Sequence, residues 1–87
     1  MGRIPKGWRK SIDTESVTCY SKKNYSIYMW KVAKPRKQYV VEPFRNLSNY
    51  KRRLFKKEFN KMGEAKRFAW NLMKQKEIRS YYSRKGE

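Results

Sequence analysis

The 87-residue sequence contains no histidine and one cysteine, Cys19. A lone cysteine excludes an intramolecular disulfide, and without imidazoles the usual zinc ligand sets cannot be assembled. Acidic residues number seven against 24 Lys and Arg. Asp13, Glu15, Glu42, Glu58, Glu64, Glu77 and Glu87 are scattered, with no carboxylate pair at a metal-binding spacing. There is no GxGxxG, no GxxxxGK[ST] and no HExxH, and nothing stands ready to activate Cys19 as a nucleophile. These absences predict a protein that is not an enzyme and uses neither cofactor nor metal. Cys19 reads as a small buried hydrophobe. No apolar run approaches the roughly 20 residues of a membrane span. The N-terminus has the positive charge of a signal peptide without its apolar centre. A reducing, cytoplasmic-type compartment is expected, with a nucleoid or nucleus as the alternative.

Aliphatic residues are also few, at three Leu, four Ile and four Val, whereas aromatics make up 16%. A chain this short buries only about 60–65% of its unfolded surface. Its core must therefore be built from rings, which bury roughly 150–250 Å² each. The net charge is +17. An excess of that size speaks to partners more than to fold. Nucleic acid, an anionic membrane surface and an acidic protein surface all suit it. High charge and low hydropathy also favour disorder. The aromatic content and the alternating stretches argue instead for a folded centre with loose ends.

Along the chain, residues 1–15 contain Gly2, Pro5 and Gly7 and show no apolar period. They read as a flexible basic N-terminal arm carrying Arg3, Lys6, Arg9 and Lys10, with Trp8 as its one anchor. Period-two alternation begins at Ser16 and predicts strands at about 16–22, 25–34 and 37–42, the last closed by Pro43. The 25–34 strand, YSIYMWKVAK, is apolar on both faces. A half-buried strand has one polar face. Either a second layer covers it, or an aromatic face is left open for a ligand. The reading taken turns Tyr28, Trp30 and Val32 to the core and leaves Tyr25, Met29 and Lys31 open; the reverse register is the alternative. Residues 44–51 read as a loop from Asn46, Ser48 and Asn49.

The block 50–67, YKRRLFKKEFNKMGEAKR, concentrates the cations. A fourth strand at 52–59 is expected there, with Phe55 and Phe59 structural. A helix over 48–62, capped by Ser48 and ended by Gly63, is the alternative. The i, i+3, i+4, i+7 stripe of Met62, Ala65, Ala69, Leu72 and Met73 predicts an amphipathic C-terminal helix at about 62–79. The fold class is thus α+β, a small antiparallel sheet packed on one helix. Residues 16–80 form a single small domain, and 81–87 form a frayed tail. The element order is similar to that of small sheet-plus-helix domains that lay a three-stranded sheet against DNA. No diagnostic motif accompanies the likeness.

Cations interleaved with rings suit a phosphate backbone with its bases: cations displace condensed counterions, and rings stack on bases. The candidate nucleic-acid-binding residues are Lys51, Arg52, Arg53, Lys56, Lys57, Lys61, Lys66, Arg67, Trp70 and Lys74, with Arg3, Lys6, Arg9 and Lys10 of the arm. Trp70 lies off the buried helical stripe, so it is read either as a ligand contact or as packing against arm or tail. The expected function is a small basic nucleic-acid-binding protein, with DNA and RNA equally compatible. The alternative is a small inhibitor or adaptor that regulates a larger protein complex handling nucleic acid, such as a polymerase or nuclease. A peripheral membrane role is disfavoured, because the helix has too few bulky apolar residues both to pack a sheet and to insert.

Overall fold

A computed structural model describes residues 3–33 and 35–78. The elements in order are β1 (Arg9–Asp13), β2 (Val17–Ser21), β3 (Tyr25–Val32), β4 (Gln38–Asn46), β5 (Lys51–Arg53), β6 (Lys57–Phe59) and α1 (Met62–Met73). All strand pairings are antiparallel, in the order β1-β2-β3-β4-β5, and β6 pairs with the other half of β4. The architecture is α+β, a small antiparallel sheet with one C-terminal helix.

The strand count exceeds the expected three to four, for two reasons. Arg9–Asp13, read from sequence as part of an arm, pairs with β2 as an edge strand. All five of its residues are exposed. An edge strand that faces water on both sides need not alternate, and charge along it discourages pairing with other chains. The 52–59 strand exists but is broken. Arg53 pairs with Phe44 and Lys57 with Val41, so the four-residue step 53→57 opposes the three-residue step 44→41. The extra residue makes a bulge at Leu54, Phe55 and Lys56.

Pro43 explains where that bulge falls. Its carbonyl accepts a hydrogen bond from the Leu54 backbone N–H at 2.8 Å, so the missing proline N–H faces the same edge. A central strand tolerates proline where its neighbour bulges away. Pro43 therefore does not end β4 at residue 42, and Phe44, Arg45 and Asn46 continue the strand instead of forming a loop. The turn comes afterwards, closed by the Leu47 N–H donating to the Tyr50 carbonyl at 2.8 Å. The helical alternative over 48–62 is not what forms.

The helix starts at Met62 as expected but stops at Met73, with Lys74 as its C-cap. Its buried stripe is Ala65, Ala69, Leu72 and Met73. The two alanines have no exposed surface, which lets the helix lie close on the sheet. Beyond Met73 the run Lys74, Gln75, Lys76, Glu77 offers no apolar residue, and the chain turns so that Ile78 enters the core at 3% exposure. Arg79 and the 81–87 tail, like Lys34 at the end of the expected 25–34 strand, lie outside the described residues.

The core joins Tyr20, Tyr25, Ile27, Met29, Val41 and Phe55 to the helix stripe, with Trp8 and Ile78 at its edge. Phe68 bridges to the broken strand, with ring centroids 6.1 Å from Phe55 and 5.2 Å from Phe59. The expected aromatic core is present. Burial pushes the Tyr20 phenol above its ordinary pKa; Lys10 opposes this and Asp13 reinforces it. Cys19 is buried, in keeping with a small hydrophobe.

Trp8 closes the structure from the N-terminal side. The Trp8 N–H donates to the Pro5 carbonyl at 3.1 Å. Gly7 in that turn has φ +89, the left-handed region that glycine enters without strain. The turn buries the indole, and its Nε1 donates to the Met73 carbonyl at 3.1 Å. A helix leaves its last carbonyls without intrahelical partners, and Trp8 satisfies one of them.

Candidate functional site

Because side chains alternate across a strand, the register assigns each residue to a face. Tyr25, Ile27 and Met29 of β3 lie under the helix with Tyr20 and Val41. Ser26, Tyr28, Trp30 and Val32 take the opposite, open face. The register taken from sequence is therefore inverted, and the alternative holds. The ring-rich side of β3 is the uncovered one, because the helix supplies a second layer on only one side.

On the open face Tyr28 and Trp30 form a near-parallel pair, with centroids 5.9 Å apart and planes 11° apart. Phe44 meets Tyr28 edge-on at 5.2 Å. Trp30 is 38% exposed, unlike buried Trp8. Lys51 reaches over this group from β5. Its Nζ lies 5.2 Å from the Tyr28 centroid and donates to the Tyr28 hydroxyl at 3.0 Å. Arg53, two residues on, shares the face and pairs with Glu42 at 3.2 Å.

Beside the rings lies a cleft of about 480 Å³. Its walls carry Arg9, Lys22, Lys23 and Lys51, and Ser21, Ser26 and Asn46 contribute polar groups; no carboxylate lines it. The β2–β3 hairpin that presents Lys22 and Lys23 is closed by the Lys22 N–H donating to the Tyr25 carbonyl at 2.9 Å. Asn46 ties that hairpin to the end of β4. Its side-chain nitrogen donates to the carbonyls of Lys22 at 3.2 Å and Lys23 at 3.4 Å. Its side-chain oxygen accepts from Ser26 Oγ at 2.9 Å. The cations are thus mounted on a hydrogen-bonded frame. The ion pairs among the described residues are Lys10–Asp13, Arg53–Glu42 and Lys56–Glu58, so none neutralises a cleft cation.

The residues singled out from sequence divide between two sides of the molecule. Lys51, Arg53 and Arg9 come together on or beside the open face. Arg52 and Lys57 point to the helix side of the sheet, because the bulge puts Arg53 and Lys57 on opposite faces. Lys57 Nζ sits 5.8 Å from the Phe59 ring. Lys56 lies in the bulge and pairs with Glu58 at 3.9 Å. Lys61 precedes the helix, and Lys66, Arg67 and Lys74 belong to the helix layer, behind the sheet. Lys10 takes the face opposite Arg9 and pairs with Asp13 at 3.4 Å. Trp70 packs against the N-terminal segment, its Nε1 donating to the Arg3 carbonyl at 3.0 Å and its ring edge-on to Tyr20 at 5.2 Å. Arg3 and Lys6 both belong to that segment.

Sequence reasoning missed Lys22, Lys23, Tyr28, Trp30 and Phe44 as site residues. The signal for the rings was the doubly apolar 25–34 strand. Lys22 and Lys23 looked like ordinary hairpin residues, and only the fold brings them beside Arg9 and Lys51.

Fold and site together define a small α+β protein that presents one basic, aromatic sheet face to solvent. No protein-family model, curated protein or solved structure matches the chain. No helix among the described residues is long and apolar enough to cross a membrane.

Proposed function

We propose that this is a small, non-enzymatic nucleic-acid-binding protein that engages the phosphate backbone through its open sheet face. The observation that carries the reading is the joining of rings with cations that form no ion pair among the described residues: exposed Trp30 and half-buried Tyr28 and Phe44 lie beside Lys51 and the Arg9/Lys22/Lys23 cleft, where Lys22 Nζ also sits 5.8 Å from the Trp8 ring. The net charge of +17 supplies the long-range attraction.

Affinity for a short nucleic acid should fall steeply with salt. With four to six phosphate contacts, log K against log salt should have a slope of about −4 to −5 for a duplex and about −3 to −4 for a single strand. A titration between about 50 and 200 mM salt reads this directly. A flat response, or no binding at low salt, removes the proposal. A stoichiometric protein partner that survives nuclease treatment would instead favour the adaptor alternative.

Glu42 is the one carboxylate opposite Tyr28 in the sheet, and it occupies Arg53. Glu42→Gln should release that cation and remove a repulsive charge, tightening binding by about 5-fold at 0.1 M salt. The exposed pair contributes about 0–1 kcal/mol to stability, so the melting temperature should move little. Binding that is unchanged or weaker would place the ligand away from Arg53.

A further inference from the structure

We infer that the ligand of this face is single-stranded, with a base stacked on the Tyr28–Trp30 pair and a backbone phosphate seated in the adjacent cleft. The inference rests on the nucleic-acid reading and specifies the form of the nucleic acid.

Three observations support it. The first is the ring pair, whose near-parallel planes and exposed Trp30 give a surface on which a base can continue the stack. In a duplex the base faces are already occupied, so such a platform serves only unpaired bases. The second is the chemistry of the cleft. Four cations and no carboxylate suit a phosphate, whose oxygens accept hydrogen bonds and carry charge. The third is the connection between them, since Lys51 lines the cleft and also bonds to the Tyr28 hydroxyl.

The spacing is compatible with one strand. Ser26, at the cleft, and Trp30 are four residues apart on β3, roughly 13 Å at strand rise. A single strand, stacked or extended, covers that distance in a few nucleotides. Of the other two tryptophans, Trp8 is buried in the core and Trp70 packs on Tyr20. Trp30 is therefore the indole placed for a base.

The test measures anisotropy of labelled dU10, rU10 and a 20-base-pair duplex, with poly-aspartate as a polyanion lacking bases. Wild-type protein should bind a single strand more tightly than the duplex or poly-aspartate. The two single-stranded arms show whether the sugar matters. Trp30→Ala should weaken single-strand binding by about 5- to 100-fold and duplex binding by less than about 2-fold. Trp30→Phe, which keeps a ring and guards against a folding defect, should retain most of the affinity. Duplex preference, poly-aspartate bound as tightly, or a folded Trp30→Ala with wild-type single-strand affinity each overturns the inference. If duplex binding persists in those cases, the broader nucleic-acid reading stands. If neither nucleic acid binds at low salt, both fail.

Discussion

Reversing three cleft charges together, as Lys22→Glu, Lys23→Glu and Lys51→Glu, should weaken nucleic-acid binding by at least about 100-fold at 0.1 M salt. A single-strand phosphate contact contributes a salt slope of about −0.7, or roughly 5-fold in affinity at that concentration, and three contacts multiply to about 100-fold. Repulsion from the new carboxylates adds to the loss. The matched control is Lys66→Glu, Arg67→Glu and Lys74→Glu, which changes net charge equally on the helix layer. The screening length at 0.1 M salt is about 10 Å, similar to the spacing of packed layers. Charges behind the sheet are thus largely screened from a ligand on its open face, and the control should lose less than about 5-fold. Equal losses in both triples would mean that net charge binds the ligand and that the cleft has no distinct part. Both triples change exposed or half-exposed residues, so melting curves should stay near wild type.

The sequence carried the outline of this fold better than its orientation. Regular alternation marked β2 and β3, and the alanine-rich stripe marked α1, because those signals depend on burial against a partner. Arg9–Asp13 carried no such signal, since a strand exposed on both faces is held by backbone pairing and polar contacts such as Ser11 with Ser21, which leave no apolar period. Pro43 was read as a stop because proline removes a donor. That donor falls at the bulge, where no regular ladder bond is required. The same bulge defeated a simple period-two reading of 52–59 and separated Arg53 from Lys57. For the site, composition pointed to cations near rings, and the doubly apolar strand raised an open aromatic face as one outcome. Which face was open depended on where the helix docks, a tertiary fact absent from local pattern. The dense 50–67 block consequently divides, with Lys51 and Arg53 in front and the helix cations behind.

Trp8 offers the largest expected effect on stability. Trp8→Ala should cost about 3–5 kcal/mol, as truncating a buried ring commonly does. A chain of this length has a total stability of about 4–13 kcal/mol. The melting temperature should therefore drop by at least about 12 °C, at 4–8 °C per kcal/mol. Trp8→Phe keeps an apolar ring but removes the Nε1 donor to the Met73 carbonyl, and should cost about 1 kcal/mol more than a silent change. A loose arm would give a different result, with both variants melting within about 2 °C of wild type. The consequence reaches the site because of strand alternation. Trp8 turns into the core, while its neighbours Gly7 and Arg9 line the cleft. Anchoring the indole under the helix end, together with the Arg9–Ser21 pairing, should fix Arg9 at the cleft it shares with Lys51. A Trp8→Ala protein studied below its melting temperature should then bind nucleic acid more weakly, by about the 5-fold expected for one lost phosphate contact. Wild-type affinity in a strongly destabilised Trp8→Ala would show that Arg9 is placed by β1 pairing alone.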